Sequence, residues 1–360
     1  MRVRLYPADR FGCGHFRMIW VGQMLAADGH DVEVVGEQDR RVRLVMERET
    51  VRDVLVEADV VVMQRITHRW MAEAVQVMRA KGIAVVIDVD DDLTCVHPQN
   101  PAWAELHPAN ERRLGPNGQP RRRSWKYLSA ACRDATLVTV STPALLRVYA
   151  AHGRGHLLPN YLPPAYDNLP HVDSDVIGWP GAYHSHPNDP SAVGGAIARL
   201  VADGAQFRMV GDPRGAGRAF GLPQDPPGGP VPIEQWPRAV AEIGIGIAPL
   251  ADTKFNAAKS WLKPLEMSAL GVPWVASPRA EYVRLHKRGA GVLAERSRGW
   301  YRELSRLRES PALRQELSEA GREVAAGLRL VDHREEWLEA WGRALTIQRA
   351  TGRARPTVVT

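Results

Sequence analysis

Two hydrophobic periods alternate along this chain of 360 residues. Short apolar runs bounded by polar or Gly/Pro breaks read as strands buried on both faces. In the first half these are Val3–Tyr6, Val32–Val35, Val60–Met63, Ala84–Ile87, Leu137–Val140 and His156–Leu158. In the second half they are Val176–Trp179, Phe207–Val210, Ile243–Ala248 and Trp274–Ser277. Between them lie segments whose apolar positions recur every three or four residues, as an amphipathic helix requires: Phe16–Asp28, His68–Ala80, Ser124–Arg133, Pro143–Ala151, Ser191–Ala202, Ile233–Ala241 and Ser260–Leu270. Val51–Glu57 leads into the strand at Val60, and Pro213–Pro232 is loop-like. The chain ends helically through Trp300–Leu307, Pro311–Leu328 and Arg334–Ala344.

Strand–helix alternation of this kind predicts α/β architecture with doubly wound parallel sheets. The length suits two domains. Pro159–Pro170 is rich in Pro and Asn, lacks periodicity, and reads as the linker. The expected domains are therefore 1–165 and 166–333, with a helix at about 334–348 completing the first and a disordered tail at 349–360. No apolar run is long enough to span a membrane, and the first residues lack the apolar stretch of a signal peptide. Cys13, Cys95 and Cys132 are odd in number and form no CxxC pair, which disfavours a disulfide framework and a cysteine zinc site. Such usage fits a reducing cytoplasm. Net charge is +6, mild for this length, and permits an anionic partner without requiring one.

Candidate chemistry concentrates in Ile243–Ser277. A buried strand runs into a polar loop, a helix, a Gly271-Val272-Pro273 break and a second strand. Lys259, Lys263 and Glu266 are spaced by four and three and so share one face of the expected helix. Two cations and a carboxylate at a helix start, at the carboxyl end of a strand, suit a phosphorylated ligand that also bears hydroxyls. Asn256 and Ser260 lie in the same loop. The plainer alternative is a solvated helix face.

Four smaller constellations stand out. Asp9–Arg17 (DRFGCGHFR) follows the first strand; Gly12 and Gly14 would let backbone approach a ligand, and His15 and Arg17 would be polar groups beside it. It is not a GxGxxG fingerprint and could be an ordinary βα turn. Asp88–Leu93 (DVDDDL) ends a strand. Its carboxylates could bind a divalent metal, act as base or orient an acceptor hydroxyl, or cap a turn. Ile177–Asp189 (IGWPGAYHSHPND) brings His184, His186 and Asp189 close in sequence. A metal there lacks a third ligand nearby, and Asp189 could be a helix N-cap. Arg112–Lys126 holds six cations, Arg121, Arg122, Arg123 and Lys126 among them, with Trp125 and Tyr127 adjoining. Arginine beside aromatics suits nucleic acid; a solvated loop is the alternative.

Ile243–Ser277 resembles the donor-binding segment of GT-B glycosyltransferases, above all the retaining glycosyltransferase 4-like type. Leu265-Glu266, Ser268-Ala269, Gly271-Val272-Pro273 and Trp274-Val275-Ala276 carry the match. GCGHFR, DVDDDL, STPAL, LPN and FNAAKS, with the W-x-G…H-x-x-D phrase ending at His186 and Asp189, look like a bacteriophage or actinobacterial branch. The resemblance implies two Rossmann-like domains facing a central cleft, with the last helix crossing back to the first. It implies a UDP- or GDP-linked sugar as co-substrate, no cofactor and no aspartate-bound metal, which ranks acceptor or structural roles for DVDDDL above metal binding. Glu266 would hold the ribose. Lys259, Lys263 and the amides near Ser260 would take the charge of the leaving diphosphate. Gly12, Gly14, Arg17, His186 and Asn256 would adjoin the donor. The family usually has a glutamate where this chain has Ala258, and Asn256 and Lys259 are its nearest substitutes. Retention is the implied outcome; under inversion His15 or an aspartate such as Asp90 or Asp91 would be the base. The basic segment falls in the acceptor domain, which makes hydroxymethylated pyrimidine DNA one candidate acceptor. A protein, glycan or small-molecule acceptor, a nucleotide-sugar epimerase and an inert sugar- or nucleic-acid-binding protein are the competing readings.

Overall fold

Every residue of Val60–Gln64 and Ala84–Val89 is buried. Continuous apolar strands of this kind need cover on both faces, which crossover helices supply in a parallel sheet. The computed structural model describes residues 1–36, 43–113 and 122–353. Its strands are β1 (Val3–Tyr6), β2 (Val32–Val34), β3 (Arg43–Glu47), β4 (Thr50–Leu55), β5 (Val60–Gln64), β6 (Ala84–Val89), β7 (Leu137–Val140), β8 (Gly155–Leu157), β9 (Ile177–Pro180), β10 (Phe207–Val210), β11 (Ile245–Ala248), β12 (Trp274–Ala276) and β13 (Val292–Leu293).

The chain divides into two units. The first holds Met1–Val96, Ala102–Asn160 and the segment from His333 onward; the second holds His97–Pro101 and Tyr161–Asp332. In the first, a parallel sheet runs β2-β1-β5-β6-β7-β8. Val3 of β1 pairs with Val32 on one side and Val60 on the other. In the second, a parallel sheet runs β10-β9-β11-β12-β13. Each sheet grows outward from its first strand in one direction and then in the other, so the strand order reverses at β1/β5 and at β9/β11. The core of the second unit packs Trp179, Phe207, Phe220 and Trp300 between the sheet and its helices.

Several boundaries differ from expectation. The first helix starts at Gly12, not Phe16, and passes through a π-helical turn at His15–Ile19 before Trp20–Ala27. β3 and β4 form an antiparallel hairpin that the sequence reading saw only in part; it packs on the helix Arg69–Ala80. The expected helix Ser260–Leu270 is observed as Leu262–Ala269, and a separate short helix, Lys254–Ala257, precedes it in the segment read as loop. The last helix, Glu335–Arg353, lies against β5 and β6 and extends into the segment expected as a disordered tail.

Candidate functional site

In the second unit β9 and β11 are neighbours, and their carboxyl ends flank the point where strand order reverses. Ligands of open α/β sheets bind outside the strands there. Gly181 follows β9 directly. A Cβ on Gly181 would lie 2.9 Å from Lys263 Nζ and 3.4 Å from Trp179 Nε1. The ammonium group thus sits where any larger residue would intrude, 5.7 Å from the centroid of the Trp179 ring. Trp179 Nε1 is buried and has no hydrogen-bond acceptor among the described residues. A cation and an indole N–H therefore converge beside Gly181.

His186 and Asp189 extend this cluster. His186 Nδ1 lies 3.0 Å from Asp189 Oδ2. Asp189 Oδ1 accepts from the Ala251 amide at 3.1 Å and from Asn256 Nδ2 at 2.6 Å. Burial and then the charge of Lys263 push the His186 imidazole down to about 4, with Lys259 acting in the same sense. Burial opposes ionisation of Asp189, but His186, Lys263 and the Ala251 amide outweigh it and hold the carboxyl below its usual range. At neutral pH the pair is a neutral imidazole held by a carboxylate.

Glu266 is 5% exposed. Its Oε1 accepts from the hydroxyl of Tyr166 and, at 3.0 Å, from Trp236 Nε1. Burial pushes the carboxyl up to about 7, against the opposing pull of Tyr166, Trp236 and Lys263. Such a perturbed carboxylate next to a cation marks a functional candidate.

Some expected placements change. Lys259 does not share a helix with Lys263, because a separate short helix ends before it and the next begins at Leu262. It reaches the cluster from the intervening loop, its Nζ 4.5 Å from the Phe255 ring centroid, and Ser260 is half-buried beside it. Glu266 is not on an exposed helix face. Asn256 is 3% exposed and its amide nitrogen is spent on Asp189 and, at 3.0 Å, on Ala251 O, so it braces the loop. Asp189 is not the N-cap of a helix over Ser191–Ala202; a short 3-10 turn intervenes, and the carboxylate turns to the Ala251 loop. Ala258 is 3% exposed, with no polar side chain in place of the family's glutamate.

The first unit departs further. Gly14 is packed against Asp9, whose carbonyl oxygen would lie 1.9 Å from a Cβ; nothing approaches Gly12. Both belong to a helical turn, so neither forms an open glycine loop. Arg17 is 1% exposed and serves the core. It donates to both Asp88 oxygens at 3.0 and 2.7 Å, to Leu158 O at 2.6 Å and to Asn160 Oδ1 at 3.0 Å. His15 Nδ1 lies 3.0 Å from Phe11 O, and its ring packs on Trp20. Asp90 is buried with Arg65 Nε 3.5 Å away, Asp91 is half-buried, and Asp92 caps the turn at Thr94. The DVDDDL string thus divides between ion pairs and capping. Arg121 lies outside the described residues. The other cations expected for nucleic acid are paired locally: Arg122 with Glu49 at 2.9 Å, Arg123 with Glu105 at 3.1 Å and Lys126 with Glu111. Trp125 packs edge-on against His107.

Tyr166 and Trp236 were not foreseen. Tyr166 falls in the stretch read as linker and Trp236 at a helix start after a Pro-rich loop, and no local pattern ties either to Glu266. Trp179 and Gly181 were visible only inside the W-x-G phrase. Gly181→Ala tests the convergence directly. The flexible end of Lys263 can retreat, so folding should be normal, but its ammonium group should leave the cluster. Affinity for inorganic pyrophosphate, an anion probe of this cluster, should drop about tenfold, the scale of one weakened charged hydrogen bond. Calorimetric titration checks this, and unaltered affinity would refute it.

No family model matches the chain, and no curated protein matches it. Solved structures do match. Sucrose-phosphate synthase from Thermosynechococcus elongatus aligns over 98% of each chain, with a TM-score of 0.60 and 14% identity. The catalytic domain of starch synthase IV from Arabidopsis thaliana, bound to ADP and acarbose, covers 96% of this chain and 99% of its own, with a TM-score of 0.59 and 11% identity. Anabaena HepE in complex with UDP and glucose covers 99% of each chain, with a TM-score of 0.56 and 12% identity. At these identities the likeness is one of fold, and it spans the whole chain: the protein has the GT-B fold, an α/β architecture of two Rossmann-like units.

Proposed function

We propose that this chain is a retaining, metal-independent glycosyltransferase that moves a sugar from a nucleoside-diphosphate donor, UDP- or GDP-linked, to a hydroxyl acceptor. The observation that carries this reading is the meeting of Lys263 and the unsatisfied Trp179 N–H beside Gly181, at the switch point of the second sheet. Structures of the same fold with ADP or UDP bound support it. Lys263 and Lys259 receive the diphosphate, and Glu266 accepts from the ribose hydroxyls. The anomeric C–O bond to phosphate breaks, and the acceptor oxygen bonds to the same carbon. The acceptor's proton passes to the departing phosphate. The chain's contribution is position and fixed charge. Neutral His186 is oriented by Asp189 beside the two lysines.

Transfer should persist in excess EDTA. Among the described residues no group of three or more His, Cys, Asp or Glu is placed to hold a metal. Product formation from UDP- or GDP-sugars, followed with and without chelator, tests both the activity and this feature. Loss on chelation with recovery on adding magnesium would overturn metal independence, and isomerised donor without a glycosylated product would favour an epimerase.

Glu266 adds a pH signature. Ribose hydroxyls donate best to the ionised carboxylate, and this carboxyl titrates near 7. Nucleotide binding should therefore weaken as pH falls through about 7 and should release protons when it occurs below that pH. The ligand-free protein behaves oppositely. Its folded carboxyl holds a proton more tightly than the unfolded one, whose ordinary value is 4.5. Stability should thus decline as pH rises from about 4.5 to 7, by roughly 3 kcal/mol from this group, and level off above. Titration calorimetry in buffers of different ionisation enthalpy reads the protons; equal affinity at about pH 6 and pH 8 would remove Glu266 from the ribose.

A further inference from the structure

β3 and β4 form a sheet of only two strands, and a hairpin of that kind needs cover to be stable. One face has it. Val54 is fully buried, Leu44 stands opposite it in register, and β4 packs on the helix Arg69–Ala80. The other face lacks it: Arg43, Val45 and Leu55 are exposed there, and Met46 is exposed near the turn. Of the seven large apolar residues that are exposed among the described residues, three lie on this hairpin. Scattered exposure is ordinary, but this concentration marks a surface for docking.

The outer edge of β3 is open and regular. β3 pairs with β4 alone, and no other backbone hydrogen bond reaches Arg43–Glu47 among the described residues. The hairpin's bulge lies on the other strand. Val45 pairs with Asp53 and Met46 with Val51, so Arg52 is the extra residue and β3 continues without interruption. Such an edge offers its N–H and C=O groups to another strand. The side chains say which strand. Arg43 and Glu47 carry opposite charges and flank Val45 symmetrically. Arg43 forms no ion pair among the described residues. Glu47 has only Arg52, 3.7 Å away with both side chains mostly exposed, a contact worth little.

We propose that β3 pairs antiparallel with β3 of a second copy of this chain, about a two-fold axis at Val45, to give a four-stranded sheet and an isologous dimer. Arg43 of each copy then faces Glu47 of the other, Leu44 faces Met46, and Val45 faces Val45. Opposite residues of an antiparallel pair project to the same face with Cβ atoms about 4.5–5.5 Å apart, within reach of an ion pair. Parallel pairing in register would set Arg43 against Arg43 and Glu47 against Glu47. A shift of one residue would set Arg43 against Met46 or Glu47 against Leu44. The two charges therefore select one direction and one register. A single pair of short strands buries less than a standard interface, so the dimer is weak and forms as concentration rises. This inference does not depend on the glycosyl-transfer reading.

Sedimentation velocity of the full chain over a series of concentrations reads the dimer. The unmodified chain should pass from monomer to dimer and no further, because a two-fold pair consumes both open edges. Arg43→Glu sets two carboxylates against each other at each end of the strand pair, and Glu47→Arg sets two guanidinium groups. Each variant alone should dimerise about tenfold more weakly or worse, since two attractive pairs become two repulsive ones. Both positions are exposed, so circular dichroism and melting temperature of the dilute variants should match the unmodified chain. Mixing the two variants should restore a dimer of one copy of each, because every charge again faces its opposite. The double variant should associate with itself for the same reason. Val45→Lys places two cations at the axis and should prevent association. A monomer at every concentration, growth beyond the dimer, a dimer indifferent to the charge reversals, or no recovery in the mixture and the double variant would overturn the proposal.

Discussion

Lys263→Ala is expected to remove nearly all donor binding while the second unit stays folded. The side chain is half-buried, and its ammonium group lies beside Gly181 and over Trp179 rather than in the apolar core. A charged hydrogen bond to phosphate contributes about 1.5–3 kcal/mol, so affinity for a nucleoside diphosphate should fall by about ten- to 150-fold. Burial, the main cause of the depression, remains, but the same change removes the largest charge opposing protonation of His186, whose imidazole should titrate above its present value of about 4. An NMR titration of that ring reports the change without any ligand. Glu266→Gln makes the complementary test. Its amide oxygen can still accept from Tyr166 and Trp236, so stability should hold while affinity for a ribose-bearing ligand drops tens of fold. Full nucleotide affinity in both variants would move the donor site elsewhere.

The strand pattern was readable because strands covered on both faces cannot hide their composition. Val60–Gln64 and Leu137–Val140 are apolar at every position but the threonine and the glutamine, and they had only one plausible state. Lys259 was misplaced on the helix over Ser260–Leu270 because its spacing to Lys263 fits a single helix as well as a loop followed by one. The helix starts only at Leu262, and Lys259 comes to the same cluster from the loop before it. Glu266 was singled out from its neighbours in sequence. Its burial was not, because the groups that bury it, Tyr166 and Trp236, lie 100 and 30 residues away. The acidic string and the basic segment left alternatives open for the opposite reason. Local charge density was legible, but the partners that neutralise it, Arg17, Arg65, Glu49, Glu105 and Glu111, enter only through the fold. Charge that looks free in a sequence is often half of a pair.

The largest effect on stability should come from Arg17, a residue the sequence placed beside a ligand. Arg17→Met is expected to destabilise the first unit by about 3–5 kcal/mol, the usual result of removing one partner from a buried ion pair. Asp88 is 1% exposed and would keep only the Thr139 hydroxyl, at 2.7 Å, as a donor among its present partners. Leu158 O and Asn160 Oδ1 would lose their donor as well. The guanidinium also lies 5.9 Å from the Trp337 ring centroid, so the last helix would lose part of its seat. Against a typical total of 5–15 kcal/mol the loss is severe. The cause is the stranded carboxylate rather than a missing attraction, which makes a further prediction possible. Asp88→Asn in the Arg17→Met background removes the uncompensated charge and keeps an acceptor for Thr139. The double variant should therefore be more stable than Arg17→Met alone, by an interaction of order 1–3 kcal/mol. Urea denaturation of the two single variants and the double variant completes the cycle. A double variant no better than Arg17→Met would show that packing around the arginine, and not its charge, holds this part of the fold.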